Sequence, residues 1–191
     1  MNTDHPYNLG SATLFKGRTY YYSLSNENLE LMRKNHLDDL INAMIEGAAS
    51  KSKFNRRIFQ AARWISININ EDENNGPNKI LKLAIGLECL LFNENTCITE
   101  KLAERCALVQ QLNFEDRIKI FSSIKHFYDL RSKIVHEGLD NIDLREIRKF
   151  QEVAIKTLLG VIYLKEKYHW DDFEDLISWI REQKFSTPAE A

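Results

Sequence analysis

The sequence predicts an all-α fold: a bundle of helices behind a short irregular or extended N-terminal arm. Three observations carry that prediction. Beyond Leu24 the apolar residues recur at helical spacing, with no strand-like alternation. The segments so defined are bounded by Asn, Thr, Asp and Gly residues of the kind that start and stop helices. One segment, "LAIGLECLLF", is apolar on nearly all sides, as a helix enclosed by other helices must be. With 191 residues, 43% of them hydrophobic, the chain suits one core better than two. The expected division is an arm over 1–24, a single domain over 25–185 and a frayed tail over 186–191.

Taken in order, "YNLGSATLFKGRTYYYSL" combines two glycines with three consecutive tyrosines and is compatible with an extended arm or a short hairpin. A helix is expected from an Asn26 cap through Leu29, Met32, His36, Leu37, Leu40, Ile41, Met44 and Ile45 to a stop at Gly47. A second covers "KFNRRIFQAARWISININ". The polar stretch "NEDENNGPN", with Gly76 and Pro77, is the clearest loop in the chain. "NKILKLAIGLECLLF" follows as the central helix, then "TEKLAERCALVQQL" from a Thr99 cap. "NFEDRIKIFSSIKHFYDLRSKIVHEG" runs from Asn113 to a C-terminal stop at Gly138. The last two helices are "DLREIRKFQEVAIKTLLGVIYLKEKYH" and "DDFEDLISWIREQKF", the latter acidic at its start and basic near its end, as the helix dipole favours.

The formal charge of -2 excludes a global basic field, so any nucleic-acid contact must be a local patch. No basic stretch followed by an apolar one opens the chain, and no apolar run approaches the ~20 residues of a membrane span, so a cytoplasmic, membrane-free protein is expected. Cys89, Cys97 and Cys106 form no CxxC pair and are expected as reduced thiols in or near the core. His126 and His136 lack a metal-ligand spacing, and no nucleotide cradle, nucleophile elbow or HExxH occurs. Neither a metal nor a cofactor is expected.

The segment "DLRSKIVHEG" is the informative one. On a helix turning about 100° per residue, Phe114, Ile118, Phe121, Ile124, Tyr128 and Val135 form one stripe, and Arg131 falls within its spread. An arginine on such a face needs a carboxylate, carbonyls or an anionic ligand. His136 lies about 140° around the helix from Arg131, with Ser132 between the two directions. It occupies the last turn, where the helix dipole favours a cation. A structural account competes with a functional one. Glu88 is the only charge between Leu83 and Phe92, and Arg105 or Arg131 is a candidate partner in an internal ion pair.

In order and spacing, "LAIGLECLLF", "TEKLAERCALVQQL" and "IFSSIKHFYDLRSKIVHEG" followed by a long helix resemble the Apea-like branch of the HEPN superfamily. The resemblance covers roughly residues 54 to 168 and is most specific in its last segment, where Tyr128, Leu130, Arg131, the Ile134–Val135 pair, His136 and Gly138 match. It implies a bundle of about four or five helices, usually dimeric, in which Arg131 and His136 form the family's arginine–histidine motif. Ser132 stands where the family often carries asparagine, aspartate or histidine. The implied activity is metal-independent RNA cleavage at a cleft between two protomers, plausible as a toxin-like or antiviral function in a prokaryote. Arg131 and His136 would be catalytic, Ser132 and Tyr128 would orient the phosphate, and Lys133, Lys125, Arg145 and Arg148 would supply a local positive rim. RNA, a second copy of the chain and a regulatory protein are the implied partners. The alternative is a non-catalytic HEPN module that dimerises and binds RNA, a nucleotide or a protein.

Overall fold

The computed structural model describes residues 12–14, 18–20, 52–69, 75–93 and 96–185. The helix expected from Asn26 to Gly47, and the tail beyond residue 185, lie outside the described residues. The chain divides into two compact units, 1–41 and 42–191. In the first, strands β1 (Ala12–Leu14) and β2 (Arg18–Tyr20) pair antiparallel with Thr13 opposite Thr19. Of the two forms open to the arm, this segment takes the hairpin.

The second unit is an all-α bundle. Its first helix, α1 (Lys53–Ile69), buries Phe54, Ile58, Ala61, Ala62 and Ile65, one stripe at helical spacing. That stripe packs on α2 (Gly76–Leu91), whose buried residues include Ile80, Leu83, Ala84, Leu87, Leu90 and Leu91. Gly86 allows the close approach of the two helices: a Cβ there would lie 3.1 Å from Ile65 Cγ1 and 3.4 Å from the Ala61 carbonyl oxygen. The same helix also touches α3 (Ile98–Val109), α4 (Phe114–Glu137) and α5 (Leu144–Tyr168), which makes it the central element its composition predicts. The last helix, α6 (Phe173–Phe185), packs against α3.

Two boundaries differ from the sequence expectation. Gly76 and Pro77 belong to the first turn of α2, where proline's fixed φ and missing N–H cost nothing. Thr99 does not cap α3. Cys97, in the left-handed region at φ 56°, occupies the cap position, and its carbonyl accepts from the Lys101 N–H at 3.1 Å. Elsewhere the caps stand where local chemistry puts them. The Asn113 side chain accepts from the Asp116 N–H at 2.9 Å, and the Asp143 side chain accepts from the Arg145 N–H at 2.8 Å. Gly138 ends α4 at φ 68°, with its own N–H and that of Leu139 both directed to the Lys133 carbonyl.

Helix α4 packs chiefly on α3, and the stacked rings of Phe127 and Phe150, 4.3 Å between centroids, join it to α5. Its burial is narrower than the stripe drawn from the sequence. Ile124, Phe127 and Tyr128 are buried, but Phe114, Ile118 and Val135 are 76%, 50% and 51% exposed. The cause is length: α4 has 24 residues and α3 only 12, so its main partner covers only part of it. Among the described residues no helix is long and apolar enough to cross a membrane.

Candidate functional site

The residues singled out by the sequence sit along the second half of α4, where the helix runs from its buried middle to its exposed end. Tyr128 is buried, and its hydroxyl donates to Glu88 Oε1 on α2 at 3.0 Å. Burial, reinforced by the Glu88 carboxylate, pushes that hydroxyl far above the usual phenol range. It therefore stays protonated as a hydrogen-bond donor and has no capacity to act as a base.

One turn on, Arg131 is half-buried, and among the described residues it has neither a hydrogen bond nor an ion pair. Its positive charge is nonetheless felt at the Tyr128 hydroxyl, which places the guanidinium in that neighbourhood. Ser132 is exposed. Lys133 is tied to Asp129 one turn back at 2.7 Å, and this contact raises the Lys133 ammonium above its ordinary value. His136 is exposed in the last turn, likewise with no hydrogen bond or ion pair among the described residues. Along the axis it lies roughly 7.5 Å from Arg131, from the helical rise alone.

The internal ion pair expected of Glu88 takes another form. Its carboxylate is met by the Tyr128 phenol. The buried Arg105 guanidinium donates to the Leu91 carbonyl at 2.5 Å and faces the Phe92 ring, 5.5 Å from its centroid. Carbonyls at the C-terminal end of α2 carry a partial negative charge and accept a guanidinium. Arg57, to which the sequence assigned no role, does the same beside it, donating to the Phe92 carbonyl and lying over the Phe173 ring.

The proposed positive rim is partly neutralised. Lys125 reaches Glu100 at 2.9 Å and Arg145 lies 4.0 Å from Asp143. His126, set aside above for want of a ligand spacing, pairs with Glu146 at 2.8 Å. The three cysteines divide by environment: Cys106 is buried, Cys89 is half-buried, and Cys97 is exposed, contrary to the near-core placement expected of it, because it occupies the turn that opens α3. No group of three or more His, Cys, Asp or Glu side chains among the described residues is arranged to hold a metal ion.

No family model, no curated protein and no solved structure matches this chain.

Chemically, the α4 segment offers a guanidinium with no partner among the described residues and an accessible imidazole on one helix, beside the exposed apolar Phe114, Ile118 and Val135. Such a set can neutralise an anion and transfer a proton.

Proposed function

We propose that this protein is a metal-independent endoribonuclease of the HEPN type, working at a composite site formed by two copies of the chain. The observation that carries the reading is the state of Arg131: a half-buried cation with no carboxylate or carbonyl partner among the described residues, on the helix that ends in His136. A purely structural arginine at that depth is expected to have a partner, as Arg57 and Arg105 do. Support also comes from the exposed Phe114, Ile118 and Val135 on the same helix, which suit burial against a second copy.

In this reading His136, supplied by both copies, removes the proton from a ribose 2'-hydroxyl and returns one to the leaving 5'-oxygen. The 2'-oxygen–phosphorus bond forms as the phosphorus–5'-oxygen bond breaks, and Arg131 stabilises the charge that develops on the phosphorane. Ser132 helps orient the phosphate. Tyr128 acts indirectly, by fixing α4 against Glu88. A cytoplasmic role in prokaryotic defence, under the restraint of a regulatory protein, accords with such an activity.

The test is incubation with single-stranded RNA in excess EDTA. Fragments ending in 2',3'-cyclic phosphate are expected, with DNA intact because it lacks the nucleophile. His136→Ala should lose about 10²-fold or more of the rate with its fold unchanged. The non-catalytic module is the second reading, favoured by the ion pairs that occupy Lys125 and Lys133. RNA binding without cleavage would establish it in place of the first.

A further inference from the structure

A cavity of about 610 Å³ opens where the start of α1 meets the end of α2, and neither Arg131 nor His136 lines it. Its volume is in the range of small-molecule sites, about 300–1,000 Å³. Among the described residues, Lys53, Arg56 and Arg57 bring three positive charges to the walls against the one carboxylate of Glu88. Neither Lys53 nor Arg56 has an ion-pair partner among the described residues.

The third cation is held in place. Arg57 donates to the Phe92 carbonyl and lies 4.1 Å over the centroid of the Phe173 ring, while its Nε is buried with no hydrogen-bond partner among the described residues. Its guanidinium therefore needs little reordering to meet an anion. The opposite character comes from Phe92 and Ile98, the latter 37% exposed although apolar. Burial raises the Cys89 thiol above its ordinary value, so this lining group is uncharged at neutral pH and does not offset the cations.

We propose that this cavity is a binding site for a small phosphate monoester carrying a planar apolar group. Among the described lining residues, three cations against one carboxylate leave an excess of two positive charges, which suits the roughly -1.5 to -2 charge of a phosphate monoester. Arg56 and Arg57 provide forked donors for its oxygens, Lys53 a point charge, and Phe92 with Ile98 a surface for the planar part. The Gln60 amide is available to a polar edge, whereas the Asn93 amide is turned to Glu174 at 3.4 Å. This assignment does not depend on α4 being a nuclease helix.

Phenyl phosphate is the probe, applied to the full chain, with alkylation of individual cysteines by N-ethylmaleimide followed by mass spectrometry. Saturable protection of Cys89, which lines the cavity, is expected, with no protection of the exposed Cys97. Arg56→Glu should weaken this protection by about tenfold or more, and Lys53→Gln should weaken it less. Both side chains are exposed, so the variants should keep the wild-type melting temperature. Lys119→Glu, on α4, should bind as wild type. Inorganic phosphate should protect more weakly than phenyl phosphate. Absence of saturable protection, or protection unchanged by Arg56→Glu, would overturn the site. Equal protection by inorganic phosphate would overturn the planar component, and stronger protection by single-stranded RNA would overturn the small-molecule assignment.

Discussion

The Tyr128 hydroxyl donates to Glu88 Oε1 at 3.0 Å, so the one charge in the apolar run of α2 is met by a neutral phenol rather than by an arginine. This relationship locks the middle of α4 to the central helix.

Tyr128→Phe removes that donor while keeping the ring. A hydrogen bond to a charged group is worth about 1.5–3 kcal/mol, and the half-exposed Glu88 places this one at the lower end. Urea unfolding should show a loss of about 1.5 kcal/mol. Glu88→Gln should cost less, since its amide oxygen still accepts from the phenol.

Arg131→Ala and Arg105→Ala should differ sharply in stability. Arg105 is 6% exposed and donates to the Leu91 carbonyl, and its loss leaves that acceptor unpaired, at a cost of about 2 kcal/mol. Arg131 has no such bond among the described residues, so its removal should change stability by no more than about 0.5 kcal/mol. Comparison of chemical denaturation midpoints distinguishes the two. Equal destabilisation would assign Arg131 a structural role.

Gly160→Ala tests the crossing of α5 with the end of α3. A Cβ at this position would lie 2.4 Å from the Val109 carbonyl oxygen, a backbone atom that moves only with its helix. A loss of about 1–3 kcal/mol is expected. Gly138→Ala is the contrasting case: nothing lies within 4 Å of its Cβ, and only the positive φ of 68° is penalised, by about 1 kcal/mol. Thermal unfolding of the two variants should rank them in that order.

Alkaline conditions should weaken the fold through Cys106. Burial pushes this thiol from 9.0 up to about 12, so between those values the unfolded chain is the form that loses the proton. The stabilising contribution is complete below pH 9 and is lost as pH rises towards 12, by up to about 1.4 kcal/mol per pH unit. Unfolding free energies measured from pH 8 to 10 should fall more steeply for wild type than for Cys106→Ala.

Sedimentation at micromolar concentration should show a dimer, if α4 is covered by a second copy as proposed. Ile118→Lys, on the exposed apolar face, should give a monomer with its helical content intact. A wild-type monomer under the same conditions would remove the composite site.

Much of the bundle was legible in the sequence because its signals are local. Asn113, Asp143 and Gly138 mark helix ends through bonds to residues within six positions of them, so no tertiary information is needed to place them. The central position of α2 was equally legible, since a helix apolar on nearly all sides is stable only among others. The location of Arg131 and His136 on one helix, with the histidine in its last turn, follows from spacing alone.

Only the tertiary structure decided which group meets Glu88. Arg105, Arg131 and Tyr128 were all available by composition, and the outcome depends on how α2, α3 and α4 cross, a distance that helical periodicity does not contain. The same limit hid the exposure of Phe114, Ile118 and Val135, because a stripe records which residues share a face and not how far the neighbouring helix extends. It also hid the cavity: Arg57 and Phe92 stand 35 positions apart in the chain and are joined by a single hydrogen bond between α1 and the end of α2. Periodicity therefore determined the helices and the faces they offer, while packing, which acts between segments remote in sequence, determined which of those faces are filled and which charges are met by a neighbour among the described residues.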